Sequence, residues 1–169
     1  MEKKKRGFKN SEIPVVILCG GKGMRLGELT SEIPKPLIKI GDKPILWHVM
    51  KIYASQGVKK FILCVGYKKD QIRNYFKNNP VVDWDIQFID TGLEASKSQR
   101  IQRIQKLIKT DDFFCAYGDD VADIDLAGLL KLHRRLDQIA TITVVKMVSG
   151  FGIVKINKSN NVLAFKEKP

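Results

Sequence analysis

Histidine and cysteine are scarce here, with two of the first and three of the second in 169 residues. His48 and His133 lie far apart, each within a helical pattern, so neither a His-based metal site nor a His-based triad can be built. Cys19, Cys64 and Cys115 sit in separate apolar runs without metal-ligand spacing, and read as small buried hydrophobes in a reducing, cytoplasmic compartment. No apolar run approaches the roughly 18 to 20 residues of a membrane span. The stretch Met1 to Lys9 is basic but lacks the apolar segment of a secretory signal. Residues 1–12 are therefore expected to form a basic disordered tail, with a membrane or partner contact as the alternative. Acidic residues are also in deficit, 18 against 30 basic, giving a net charge of +12. Nucleic acid is not the expected partner, because Lys and Arg are spread along the chain without a zinc finger, an RNP motif or a helix-turn-helix. A basic field draws in nucleotide triphosphates and sugar phosphates equally well.

What is present is a soluble, globular composition, 44% hydrophobic and 28% charged, of a length that suits one domain over residues 13–169. Strand and helix signals alternate. Val15 to Cys19 is a short apolar run ending in Gly-Gly, as a buried parallel strand ends. Helices are predicted from Pro44 to Gln56, Lys69 to Lys77, Ser98 to Lys109 and Asp125 to Leu136. Between them lie strands at Phe61–Val65, Ile86–Ile89, Phe113–Tyr117 and Ile142–Met147. Two last strands, Gly152–Ile156 and Val162–Lys166, flank a turn at Lys158–Asn161. The alternation predicts an α/β fold, a Rossmann-like, doubly wound and mostly parallel sheet. Ligands bind such sheets beyond the carboxyl ends of the strands.

The chemistry-bearing residues fall at those ends. Leu18-Cys19-Gly20-Gly21-Lys22-Gly23-Met24-Arg25-Leu26 follows the first strand, and its glycines let backbone N–H groups approach a bulky anion. The spacing is neither a dinucleotide fingerprint nor a Walker A loop. Arg25 can fork onto phosphate, and Lys35 stands between Pro34 and Pro36, which are expected to hold the backbone extended and aim the ammonium. Asp119 follows the fourth strand and suits either a metal ligand or a turn and helix-capping role. Asp123 and Asp125 look like helix-start residues, and Trp47 and His48 like packing.

The set Gly20-Gly21-x-Gly23-x-Arg25-Leu26, Pro34-Lys35-Pro36 and Ile40-Gly41-Asp42-Lys43-Pro44-Ile45-Leu46 resembles the sugar-phosphate nucleotidyltransferases. Within them, Pro44 to Lys51, Cys64 to Lys68, Asp90-Thr91-Gly92 and Tyr117 to Asp125 resemble the glucose-1-phosphate cytidylyltransferases. The resemblance implies the nucleotide-diphospho-sugar transferase fold over about residues 13 to 169. It also implies transfer of a nucleotidyl group from an NTP, CTP first, to a sugar 1-phosphate, glucose 1-phosphate first. Leu18, Cys19, Gly20, Gly21, Gly23, Arg25, Lys35, Arg100 and Gly118 would hold the nucleotide, with Arg25 and Lys35 catalytic. Asp119 would bind Mg²⁺, and Glu167 and Lys168 would meet the sugar phosphate. Relatives often assemble, so a homo-oligomer is implied as well.

The sequence departs from the family in places. A Thr-Gly-Gly-Arg turn is replaced by Lys97-Ser98-Gln99-Arg100, which leaves Arg100 either as a nucleotide contact or as a plain surface residue of a charged helix. A Pro-rich, Arg-containing loop becomes Met147-Val148-Ser149-Gly150-Phe151-Gly152. Family members continue past Glu167-Lys168-Pro169 into a part that carries a second metal-binding Asp, so the C-terminal part is expected to be missing here. Another base or acceptor (dTTP, GTP, mannose 1-phosphate, phosphocholine) and a non-catalytic nucleotide or sugar-phosphate sensor are the alternatives.

Overall fold

A computed structural model describes residues 12–23, 32–145 and 152–167. The chain divides into two compact units, Met1–Ala127 and Gly128–Pro169.

The first unit is built on β1 (Val15–Leu18), the short β2 (Lys39–Ile40) and β3 (Lys43–Pro44), α1 (Ile45–Ser55), β4 (Lys60–Val65), α2 (Lys69–Asn78), β5 (Asp85–Asp90), α3 (Lys97–Ile104) and β6 (Phe114–Tyr117). Its sheet has the order β5-β4-β1-β6, and every pairing is parallel. Val15 lies beside Phe61 on one side and Phe114 on the other. The chain thus winds from β1 outward through β4 and β5, then crosses back to β6. That reversal makes a topological switch point between β1 and β6, the place where open α/β sheets bind ligands.

Both faces of β1 and β4 are covered, which is why these strands read as unbroken apolar runs. Val16, Ile62, Cys64 and Ile104 form one buried cluster, against which Leu18, Ile89 and Ile108 pack. Alternation sends Val15, Ile17, Phe61 and Leu63, all fully buried, to the opposite face. Helix α1 starts behind Pro44, whose fixed φ of −63° suits a helix entry. Gly57, at φ 91°, turns the chain out after its end. One stripe of α1 (Leu46, Val49, Met50, Tyr53) is buried, and Tyr53 sets its ring 6.1 Å from Phe114. Trp47 and His48 do pack: Trp47 stacks on Trp84 at 5.9 Å, and His48 Nε2 lies 2.9 Å from the Ile40 carbonyl.

Three expectations need correction. Helix α3 ends at Ile104 and tightens into a 3-10 turn, Gln105–Leu107, rather than running to Lys109. Its start at Lys97 is set by a capping box, in which Ser96 Oγ accepts from Gln99 N–H and Gln99 Oε1 accepts from Ser96 N–H. Cys19 and Cys64 are buried as expected, but Cys115, on β6 at the end of the four-stranded sheet, is exposed.

The third correction falls in the second unit, where α4 (Leu126–Leu136) leads in from the first. The strand expected at Ile142–Met147 is not formed over 142–145, and residues 146–147 lie outside the described residues. Ile142, Val144 and Val145 are β-branched but about 80% exposed, with no strand hydrogen-bonded beside them among the described residues, and propensity without a partner does not make a strand. The antiparallel pair β7 (Ile153–Ile156) and β8 (Val162–Lys166) forms as the pattern predicts. Asn157 Oδ1 accepts from the N–H groups of Ser159 and Asn161, and Asn160 takes φ 60°, closing the turn.

Candidate active site

The carboxyl ends of β1, β4, β5 and β6 are tied together by backbone bonds. Cys19 N–H donates to Cys64 O, Tyr67 N–H to Gly20 O, Thr91 N–H to Val65 O and Gly118 N–H to Leu18 O, all at 2.9 to 3.2 Å. Glycine is required where these crossings are tightest. A Cβ on Gly66 would lie 2.7 Å from Gly92 O and 2.8 Å from Gly20 O, and one on Gly118 would lie 2.9 Å from the Cys19 Cβ. A Cβ on Gly21, by contrast, would meet nothing within 4 Å among the described residues. Leu18, Cys19, Gly20, Gly21 and Gly118 are thus brought to one rim. Gly23, at φ 67°, bends the chain onward. Arg25 lies outside the described residues.

Cys19 contributes backbone, not thiol chemistry. Its Sγ donates to the Cys64 carbonyl at 3.5 Å, and burial holds its thiol far above the usual range. Burial likewise pushes Cys64 up to about 11.

Lys35 and Asp119 meet across this rim in an ion pair. Their approach follows from the chain around them. Pro34 is extended, but Lys35 opens a 3-10 turn, Lys35–Leu37, so the expectation of an extended backbone at Lys35 is corrected. Proline in that turn costs no hydrogen bond, since first-turn N–H groups have no partner inside the helix. Pro36 is buried, with its Cγ 3.5 Å from where a Gly118 Cβ would be, and this packing seats Lys35 beside the residue after Gly118.

Arg100 is 4% exposed, not the surface residue its charged helix allowed. Its Nη1 donates to Thr91 Oγ1 at 2.7 Å, Gly92 O at 2.8 Å and Val65 O at 3.4 Å. Its Nη2 donates to Leu93 O at 3.1 Å and Gly20 O at 3.2 Å. Sequence reasoning also left Lys22, Glu94 and Lys69 unassigned. Lys22 Nζ and Glu94 Oε1 pair at 2.6 Å, joining the loops after β1 and β5. Asp90 accepts from Lys69 Nζ at 2.6 Å and from Gly92 N–H at 2.9 Å. The Lys69 hydrogen bond holds the Asp90 carboxyl below its usual range and raises Lys69 in turn. The Asp90-Thr91-Gly92 motif was the available signal for this loop.

Glu167 follows β8 in the second unit, where a Cβ on Gly152 would come within 3.2 Å of its Oε2. Lys168 lies outside the described residues. Among the described residues no group of three or more His, Cys, Asp or Glu could hold a metal ion. Asp119 is still chemically suited to Mg²⁺, which keeps waters and takes one or two carboxylates together with substrate phosphate oxygens.

The site is thus a glycine-rich rim and a Lys–Asp pair at the switch point of a parallel sheet, and comparison with known proteins names its class. Residues 14–169 match the Nucleotidyl transferase family, and the chain belongs to it. It is 40% identical over 161 residues to the probable glucose-1-phosphate cytidylyltransferase of Bacillus subtilis, covering 83% of this chain and 63% of that protein. Identity to the glucose-1-phosphate cytidylyltransferase of Salmonella typhimurium is 37% over 176 residues, covering 91% of this chain and 68% of the relative. The chain therefore spans somewhat under two thirds of the B. subtilis relative's length. The crystal structure of HddC from Yersinia pseudotuberculosis complexed with GMP-PN superposes with a TM-score of 0.72 at 29% identity, covering 92% of this chain and 69% of HddC.

Proposed function

We propose that this chain carries the nucleotide-binding part of an enzyme that transfers a cytidylyl group from CTP to glucose 1-phosphate. A phosphate oxygen of the sugar 1-phosphate attacks the α-phosphorus of CTP, the bond from α-phosphorus to the bridging oxygen breaks, and pyrophosphate leaves. The attacking oxygen is already ionised at neutral pH, so no general base is needed. The task is to hold two mutually repelling anions and to stabilise developing charge. That suits a site made of backbone N–H groups, Lys and a carboxylate, with neither His nor a reactive Cys.

The observation that carries the reading is the Lys35–Asp119 pair beside the Gly20–Gly23 rim. Lys35 is 39% and Asp119 26% exposed in their side chains, and pairs of this accessibility are worth only about 0 to 1 kcal/mol. Opening the pair is therefore cheap. Triphosphate offers Lys35 a partner of higher charge, and Asp119 is released to hold Mg²⁺. Bound there, the ion would neutralise phosphate charge and orient the reacting oxygens. Gly20, Gly21, Gly23 and Gly118 line the phosphates, with Arg25 joining them. Glu167 and Lys168 are assigned to the sugar phosphate on family resemblance.

The test is pyrophosphate release from each of the four NTPs with a panel of sugar 1-phosphates and Mg²⁺. CTP with glucose 1-phosphate is expected to be fastest, and Lys35→Ala to lower the signal by about 10²- to 10³-fold. GTP as the preferred donor would overturn the cytidylyl assignment in favour of a guanylyl one. Binding of CTP without release from any pair would mean a sensor rather than an enzyme.

A further inference from the structure

We infer that Lys68, just ahead of α2, is a positioning residue for Lys35, a role that rests on the nucleotidyl-transfer reading above. Together with Gln71 it pins the segment that carries Lys35, and so fixes where that ammonium stands relative to Asp119.

The pinned segment is short and stiff. Pro34 and Pro36 flank Lys35, both are buried, and each ring fixes its own φ. Leu37 N–H donates to Pro34 O at 2.7 Å and Ile38 N–H to Lys35 O at 3.1 Å, so the turn closes on itself. A unit this rigid moves as a body, and Lys35 is placed by whatever holds its two ends. The downstream end is held on α1, where Ile45 N–H donates to Ile38 O at 2.8 Å. The upstream end is held on α2. Glu32 O accepts from Lys68 Nζ at 2.7 Å and from Gln71 Nε2 at 3.2 Å. The two donors stand three residues apart, the spacing that brings side chains together on one helix face. The ammonium makes the stronger, charge-assisted bond of the two.

The backbone at Lys68 points the same way. It takes φ 47° and ψ 38°, the left-handed region, where a residue with a Cβ is strained and glycine is not. Its neighbours impose that conformation. Tyr67 N–H is bonded to Gly20 O at 3.0 Å, and Lys69 N–H to Gly66 O at 3.3 Å as α2 begins. One residue between them has to turn the chain. Glycine would turn it without strain but has no ammonium to send to Glu32. Strain retained beside a site is a sign that the side chain is put to use. Adjacent residues thus hold the loop after β1 and the Lys35 segment, which joins the glycine-rich rim to the Lys35–Asp119 pair through a single turn.

The experiment compares wild type, Lys68→Met, Lys68→Arg and Lys68→Gly, and Lys68→Met in a Lys35→Ala background. The readouts are steady-state pyrophosphate release from CTP and glucose 1-phosphate, melting temperature, and amide hydrogen exchange. Lys68→Met is expected to lower kcat by about 10- to 100-fold, up to the scale of a catalytic group misplaced by about 1 Å, while KM for CTP stays within about twofold. Lys68→Arg, which can still donate to Glu32 O, should keep kcat within about threefold of wild type. Lys68→Gly should melt no lower than Lys68→Met and yet lose as much kcat, because it relieves the backbone and removes the donor. In the Lys35→Ala background the same Lys68→Met change should cost less than about twofold, as it acts through a side chain already gone. The Leu37 and Ile38 amides should exchange at least about tenfold faster in Lys68→Met, with those of β1 unchanged. Should Lys68→Met not fold, Lys68→Gly takes its place.

Wild-type kcat in Lys68→Met, or an equal loss with and without Lys35, would overturn the inference. A raised KM for CTP at unchanged kcat would overturn it in favour of a direct nucleotide contact by Lys68. Wild-type exchange at Leu37 and Ile38 in Lys68→Met would overturn it whether or not the protein turns over. If wild type releases no pyrophosphate while those two amides loosen as expected, the pinning stands and the nucleotidyl-transfer reading fails instead.

Discussion

The two sides of the glycine-rich rim are built by opposite means. On one side, Gly20, Gly66 and Gly92 are locked by backbone bonds and a buried guanidinium. On the other, Lys35 and Asp119 face each other through side chains that water reaches. On the proposed reading, the first is pre-organised for a triphosphate. The second would have to open, and its partial exposure keeps that step inexpensive. A site that needs both a fixed anion cradle and an exchangeable metal position gains from this division.

The sharpest break in the comparison is Lys35→Ala. On the reading above it removes charge stabilisation from the transition state, and pyrophosphate release should fall by about 10²- to 10³-fold, the scale of a lost transition-state donor. CTP affinity should fall less than tenfold, since the backbone side is intact. Next comes Gly66→Ala. Its Cβ would meet two backbone oxygens at 2.7 and 2.8 Å, neither of which can yield like a side chain. Overpacking of this kind costs about 1 to 3 kcal/mol, read as a lowered melting temperature, and CTP affinity should fall with it. Asp119→Asn should leave CTP binding in EDTA within about threefold of wild type while removing its enhancement by Mg²⁺, as titration calorimetry would register. If EDTA binding collapsed too, the two sides would not be separable.

The smallest effect concerns pH. Asp90 is held below its usual range by Lys69 and the Gly92 N–H, so its contribution is present above the ordinary carboxylate range and lost as pH falls through the lowered folded value. Lys69 is raised, so its share is present below the ordinary lysine range and lost as pH rises through its folded value. Both are exposed, and the contribution is small. Lys69→Met should flatten the acid limb of a melting-temperature profile without altering CTP binding at neutral pH.

Much of this was legible before any coordinates. Apolar runs bounded by glycine gave β1 and β4, and alternation with helical periods gave the parallel sheet. Pro34-Lys35-Pro36 and Gly118-Asp119 marked the two chain segments that meet. Other features were hidden for physical reasons. Arg100 sits in a helix of strongly polar sequence, and only tertiary placement shows that its guanidinium turns inward. The Ile142 to Val145 stretch has strand composition, but composition cannot say whether a neighbouring strand exists to pair with it. The Lys22–Glu94 pair joins residues 72 apart and leaves no local pattern.

The central claim is that triphosphate sits on the backbone rim at the carboxyl ends of β1, β4 and β5. Backbone amide NMR of the chain during titration with CTP tests it most directly. The account predicts that the largest shift changes fall on Gly20, Gly21, Gly23, Gly66 and Gly92, with Lys35 and Asp119 following when Mg²⁺ is added. Shift changes concentrated in Gly128–Pro169, or on the outer face of α3 around Ile101 and Gln105, with the rim glycines unmoved, would contradict it.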